Sequence, residues 1–244
     1  MNCNQTSSCR QYPCLLYRKG CTEAASAMIS DEVAWDLWLN DCCVSHMTSS
    51  PHELDVLAVG YCLQQGLIEG GQAVRVCYET RGISIAVVGV KQALAANSRK
   101  AMTVTAEQLC SYGTLLDELS AAHHMTHGVH EGALVQDGVV LAYAEDVSRY
   151  NVLDRLAGEV YLRNIDTSQA VLVFSGRVPQ QVAEKASSLG VSCIASRAMA
   201  TSAGIEAAER LGLTLVCALR SDSFRLFTHE ERIIKSYDKD LCSP

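Results

Sequence analysis

Several things are missing from this 244-residue chain, and each absence removes a class of function. No apolar run is long enough to span a bilayer: the longest is Ile83 to Val90. The first 25 residues hold only Leu15-Leu16-Tyr17 as an apolar patch, so no secretory signal is read and cytoplasm is the expected compartment, with no membrane partner. Excess positive charge is also missing. A formal net charge of −7 argues against nucleic-acid binding, which rests on neutralising many phosphates. There is no Gly-x-x-x-x-Gly-Lys-Ser/Thr loop and no Gly-x-Gly-x-x-Gly, which disfavours the ordinary ATP and NAD modes. The 12 cysteines read as reduced thiols, metal ligands or core residues before disulfides. No close ligand pair appears among Cys3, Cys9, Cys14 and Cys21, so residues 1–30 are expected to be an irregular, loosely held tail.

What is present suits a globular fold, since 48% of residues are hydrophobic and 19% charged. Val33 to Leu39 alternates as a half-buried strand. Cys42-Cys43 read as small buried apolar residues. Ser50-Pro51 opens a helix that Gly66 closes. Ala73–Tyr78 and Ile83–Val90 are strands, and Ala106–Leu119 reads as one amphipathic helix that carries Cys110 as a core residue. His123, His124, His127 and His130 require a metal site to be weighed. Gly128 and the lack of a partner cysteine pair or well-spaced acid weaken it, so no metal site is read. Asp137-Gly138 sits between two alternating runs as a hairpin turn.

From Val139 onward the pattern becomes regular. Val139–Ala144, Ala170–Phe174, Val191–Ala195 and Leu213–Leu219 are strands with helices between them, and Phe224–Thr228 is an edge strand. Short strand–helix connections predict an α/β fold, a mixed, mainly parallel sheet with helices on both faces. In such sheets ligands bind beyond the carboxyl ends of the strands. Arg149, Arg177, Arg197 and Arg220 stand there, each within a few residues of a strand. Small residues accompany them: Ser175, Gly176, Thr201, Ser202, Ser221 and Ser223. Helix-opening loops with exposed amides favour an anion. Asp146 is read as the N-cap of the helix that begins near Arg149. Residues and spacing alone point to a phosphorylated or nucleotide-like ligand.

Glu145-Asp-Val-Ser-Arg-Tyr-Asn-Val-Leu-Asp-Arg155 resembles the Glu-Asp-Ile/Val-Gly-Arg-His-Asn signature of the FdhD family, the formate dehydrogenase accessory sulfurtransferases. Thr126-His-Gly-Val-His130, Phe174-Ser-Gly-Arg177, Ser196-Arg-Ala-Met-Ala-Thr201, Leu213–Arg220 and the segment Pro51–Glu69 are similar to further family motifs, in the same order. The resemblance spans about residues 31 to 234. It implies a cytidine-deaminase-like fold over 31–244, with an N-terminal part at 31–120 and a cofactor-binding α/β core at 121–234. It also implies a molybdenum bis-guanine-dinucleotide (molybdopterin) cofactor, or a GDP-like nucleotide as its fragment. The residues implied to hold that cofactor are His130, Asp146, Arg149, Asn151, Asp154, Ser175, Gly176, Arg177, Thr201, Ala218, Leu219, Arg220, Ser221, Asp222 and Ser223. Implied partners are formate dehydrogenase or a related molybdenum or tungsten enzyme, a cysteine desulfurase as sulfur donor, and a second copy in a homodimer.

Four departures stand against the family pattern. Ser148 replaces a glycine, Tyr150 a histidine and Ala200 a proline, and the Cys-x-x-Cys that carries sulfur in the family is missing, since Ala86–Gln108 contains no cysteine. Deaminase chemistry itself is excluded: Gln180-Gln181 follows Pro179 where a zinc half-site would begin, and His130-Glu131 lacks the His-x-Glu spacing. Three functions therefore compete, and no catalytic residue is assigned. They are a sulfur-passing accessory protein, a cofactor holder or interaction module that has lost the sulfur relay, and an unrelated small-molecule enzyme using the same arginine-rimmed crevice.

Overall fold

The structure, a computed structural model, describes residues 9–80, 82–90 and 102–234. In chain order the strands and helices are β1 (Cys9–Arg18), β2 (Cys21–Ser30), β3 (Val33–Leu39), β4 (Cys42–Ser49), α1 (Leu54–Gln64), β5 (Gln72–Glu79), β6 (Gly82–Val90), β7 (Val104–Thr105), α2 (Ala106–Ser111), α3 (Leu115–Leu119) and α4 (Ala121–Thr126). They continue with β8 (His130–Gln136), β9 (Val139–Asp146), α5 (Arg149–Arg163), β10 (Val171–Phe174), α6 (Gln180–Ser188), β11 (Cys193–Ser196), α7 (Ser202–Arg210), β12 (Thr214–Cys217), β13 (Arg225–Thr228) and β14 (Ile233–Ile234). The chain divides into two compact units, and each is interleaved along the sequence. The first is Met1–Ala93, Asp117–Gly132 and Ala144–Asn164; the second is Leu94–Leu116, Ala133–Tyr143 and Ile165–Pro244. A single cut near residue 120 does not describe this division, because α5 belongs with the N-terminal segments.

In the first unit a four-stranded sheet runs in the order β4-β3-β6-β5. The β3–β4 and β5–β6 pairs are antiparallel and β3–β6 is parallel. Leu37, Ile83 and Ile85 from this sheet pack with Leu57, Ala58, Val59 and Cys62 of α1. α1 is apolar nearly all round because α5 covers what the sheet does not. The two helices approach so closely that a Cβ on Gly60 would lie 1.6 Å from the Asp154 carbonyl oxygen, and one on Gly158 would lie 2.1 Å from that of Val56.

Residues 9–30 are not irregular. β1 and β2 form a ten-rung antiparallel hairpin from Cys9↔Ser30 to Arg18↔Cys21. Its turn, Lys19-Gly20, has φ of 50° and 88°, and two positive φ values match the twist of the flanking strands. The strands are polar enough to hide their period. Ser30 Oγ lies 2.8 Å from Thr126 Oγ1 and ties the hairpin to α4. The N-terminal residues 1–8, with Cys3, lie outside the described residues.

In the second unit lies most of a six-stranded sheet of order β13-β12-β11-β10-β8-β9. β10–β11 and β11–β12 are parallel; β13 is an antiparallel edge strand on β12, as its position after a short loop predicts. β10, β11 and β12 are buried along their whole length, as expected for strands covered on both faces. The mixed, mainly parallel α/β reading is therefore borne out. The Asp137-Gly138 turn also holds, with φ of 50° and 79°. Ala106–Leu119 is not one helix: it breaks into α2 and α3 around Gly113. A Cβ there would meet Arg220 C at 2.3 Å and Ser221 N at 2.6 Å, so the glycine is needed for close backbone packing.

Candidate functional site

His130, Asp146, Arg149, Asn151 and Asp154 fall in the first unit. There Asp146 is not the helix cap; Ser148 occupies that position, without a side-chain cap bond. Asp146 is fully buried and acts as an internal hub. Its Oδ1 accepts from Ser148 N (2.9 Å) and Asn151 Nδ2 (2.9 Å), and its Oδ2 accepts from Ser50 N (3.3 Å) and Arg155 Nε (2.9 Å). Arg155 is 1% exposed and also donates to the carbonyls of His52 (2.7 Å), Glu53 (3.1 Å) and Ser50 (3.0 Å). Asn151 Nδ2 reaches Thr48 O as well, at 2.9 Å. The signature that looks like a ligand-binding helix start thus welds α5 to the β4–α1 connection. Removing either partner of such a buried pair costs about 3–5 kcal/mol, because the other charge is left uncompensated. Asp154 is 2% exposed; burial and, second to it, the Asp154 charge push the Cys62 thiol up to about 12. Arg149 is half-buried, with Cζ 5.9 Å from the ring centroid of its neighbour Tyr150. His130 begins β8, while His123 lies in α4 and His127 caps that helix in a left-handed conformation. The histidines therefore do not share one helical face.

The second unit holds the other expected residues, on the loops that follow three parallel strands. After β10 come Ser175, buried Gly176 and exposed Arg177. Ser196 at the end of β11 is buried and donates from Oγ to Gly176 O at 2.7 Å; the same oxygen accepts from Ala198 N at 3.1 Å. Arg197 N donates to Phe174 O (2.8 Å), and a bridge pairs Val178 with Ala200. Thr201 is exposed and caps α7, its Oγ1 accepting from Gly204 N. After β12 the chain enters a left-handed alanine, Ala218, with φ of 50°. A non-glycine residue held there stores roughly 1–3 kcal/mol and persists only where its surroundings enforce it. The enforcing bonds are Ala218 N to Ala198 O (3.0 Å) and Leu219 N to Ser196 O (3.0 Å). The Leu219 side chain then turns into the core.

Arg220 is exposed, yet its guanidinium is held in place. Nη1 donates to Arg197 O at 2.8 Å and Leu219 O at 2.7 Å. Arg220 N closes a turn onto Ser223 O (2.8 Å), and Ser223 Oγ donates to Asp222 Oδ1 (2.9 Å). Ser221, Asp222 and Ser223 are exposed. Because β10–β12 are parallel, these three loops leave the sheet at one edge, with Arg177, Arg197 and Arg220 among them. A separate cavity of about 90 Å³, lined by Met102, Gln108, Tyr112, Asp137 and Gln169, borders the other end of β10 and contains none of the arginines.

Two contributors escaped the sequence reading of this edge. One is the buried hydroxyl of Ser196, which stitches two loops together. The other is Gly113, whose place inside an amphipathic pattern was the available signal. Cys110, expected in the core, is only partly buried; burial, and then the nearby Asp222 carboxylate, raise its pKa. Cys193 and Cys217 are buried, which pushes their thiols up to about 12 and about 11. Cys42 and Cys43 are exposed, not buried, because they form the start of an edge strand. Most of the region where the family carries its Cys-x-x-Cys, residues 91–101, lies outside the described residues.

A family model described as FdhD/NarQ matches residues 73–234. The chain belongs to the FdhD/NarQ family. A sulfur carrier protein FdhD of Wolinella succinogenes is 30% identical over 226 residues, covering 81% of this chain and 79% of that protein. The FdhD sulfur carrier of Thermoplasma volcanium is 42% identical over 110 residues, which are 45% of this chain and 39% of that protein. One from Staphylococcus aureus is 33% identical over 144 residues, 59% of this chain and 54% of its own length. These last two matches thus span about half or less of the FdhD proteins concerned. A solved structure described as a candidate formate dehydrogenase accessory protein from Desulfotalea psychrophila superposes with a TM-score of 0.82, over 93% of this chain and 99% of its own, at 24% identity. The FdhD fold is thereby established for the chain. Among the described residues no helix is long and apolar enough to cross a membrane.

Proposed function

We propose that this FdhD-family chain is an accessory protein that binds the guanine-dinucleotide part of a molybdopterin cofactor, on behalf of formate dehydrogenase or a related molybdenum or tungsten enzyme. The observation that carries the reading is the edge after β10–β12, where Arg220 is oriented by two carbonyls beside an exposed Asp222. A guanidinium has five N–H donors in a planar fork, so those not used by Arg197 O and Leu219 O suit a phosphate. The Asp222 carboxylate accepts from N1 and N2 of guanine, a pairing that adenine does not offer. Ser175, Gly176 and the Ser221–Ser223 loop leave room for a phosphate to approach backbone. Asp146, Asn151 and Asp154 support this reading as scaffold, their polar groups being enclosed within the first unit.

Sulfur passage is the weaker half of the proposal. Without a Cys-x-x-Cys between Ala86 and Gln108, and with Cys62, Cys193 and Cys217 buried as poor thiolates, the second reading is a cofactor holder that takes no sulfur from a cysteine desulfurase. Calorimetry with GDP and ADP tests the binding. Arg220→Ala should weaken GDP binding by about 1.5–3 kcal/mol, the range for hydrogen bonds to charged groups. Asp222→Asn should erode the preference for GDP over ADP and leave phosphate-driven affinity intact. Wild-type affinity for both nucleotides in both variants rejects the site. Persulfide mass spectrometry after incubation with a desulfurase separates the two readings.

A further inference from the structure

In the first unit one cluster has no part in the reading above. It depends on a fault in the strand pairing. β3 and β4 pair Asp36 with His46 and Leu37 with Ser45, and then shift so that Trp38 faces Cys43. Val44 is the extra residue of a β-bulge. In a regular strand Cys43 and His46, three apart, would point to opposite faces. The bulge removes that mismatch, and it sets both side chains on the face that carries Asp36. Leu37, on the opposite face, is the residue that enters the core.

The three side chains offer one nitrogen, one sulfur and one oxygen ligand atom, all within 4.8 Å of one another. His46 Nδ1 and Asp36 Oδ1 are 2.6 Å apart, and Cys43 Sγ donates weakly to Ser45 O at 3.9 Å. We propose that Asp36, Cys43 and His46 form a binding site for a single zinc-class divalent cation on the edge of the four-stranded sheet. An imidazole, a thiolate and a carboxylate are the ligand types that zinc selects, at about 2.0–2.3 Å from the ion, which sets donors roughly 3.3–3.8 Å apart in a tetrahedral shell. Small side-chain rotations reach that spacing from the present one. The cation displaces the proton of the Cys43 thiol, while the imidazole of His46 binds through Nδ1 with its hydrogen on Nε2. Binding therefore releases a proton and weakens as pH falls. The fourth position faces solvent and takes water. Three protein ligands are already near, so the ion clamps edge strand β4 to β3 beside their turn. The spacing was invisible in sequence because the donors come from two strands and meet only through the bulge.

The test uses the full-length protein, reduced and stripped with a chelator, titrated with Co²⁺ and back-titrated with Zn²⁺. The wild type should show one equivalent of cobalt with a thiolate-to-metal charge-transfer band, displaced by zinc, and a zinc-dependent rise in Tm. Cys43→Ser should abolish that band, and His46→Ala and Asp36→Asn should each weaken binding at least tenfold. Cys77→Ser, which changes an exposed cysteine on β5, should leave the band unchanged. All four positions are partly or fully exposed, and near-UV circular dichroism verifies that the variants remain folded. Absence of the band in the wild type, or its persistence at wild-type affinity in Cys43→Ser, overturns the site.

Discussion

At the scale of single residues, the Asp146–Arg155 pair has a neighbour that makes it sensitive to acid. His52 gives its carbonyl to Arg155, while burial and, second to it, the Arg155 charge lower the pKa of its ring below the ordinary 6.5. The unfolded chain therefore takes up a proton near pH 6.5 that the folded chain refuses. A group with a depressed folded pKa contributes stability fully above the unfolded value, and that contribution is lost as pH falls toward the folded one. Denaturant midpoints should therefore drop as pH goes from about 7 to below 6.5, with a slope from this group of at most about 1.4 kcal/mol per pH unit. In His52→Gln that part of the slope should vanish, and an unchanged slope would assign the acid sensitivity elsewhere.

At the scale of elements, the closest packing lies where α1 crosses α5. Gly158→Ala places a methyl 2.1 Å from the Val56 carbonyl oxygen, a contact that only backbone movement relieves. Overpacking of this kind typically costs about 1–3 kcal/mol, against a small gain in helix propensity, so thermal unfolding of Gly158→Ala should shift clearly downward. The sequence showed α1 and the later strands well, because Leu54, Leu57 and Ala58 keep helical spacing and β10–β12 are short apolar runs between turn signals. It showed the loops after β10 and β12 for the same reason: strand ends announce themselves. Local pattern does not reveal partners far along the chain. Asp146 resembled a helix cap because Ser50, its partner 96 positions away, carries no signal of its own. Nothing local to Gly113 says that the Arg220 backbone lies against it. The hairpin of β1 and β2 was missed because most of its side chains face solvent on both sides, leaving little alternation to read.

At the scale of the whole molecule, membership of the FdhD/NarQ family and the superposition on the Desulfotalea psychrophila structure fix the fold across nearly all of the chain. The two units share it unevenly. The first is assembled from Met1–Ala93, Asp117–Gly132 and Ala144–Asn164, with stretches of the second between them. A fragment ending at residue 93 keeps the four strands of its sheet and α1, but loses Asp146 at the end of β9 and α5 with Arg155. It should show no cooperative thermal transition by circular dichroism, and a sharp, native-like transition would mean that α5 is dispensable.

The same interleaving sets a timetable during synthesis. Chain leaves the ribosome from its amino end, and domains ordinarily fold one after another as they emerge. Here the N-terminal sheet waits, with one face of α1 uncovered, until Asn164 is out; by then parts of the second unit, Leu94–Leu116 and Ala133–Tyr143, have been made and are waiting for β10–β12. Neither half can be finished and set aside before the other begins. Ribosome profiling of chaperone-bound chains should therefore find the nascent protein engaged by holdases through the middle of its translation rather than at the end.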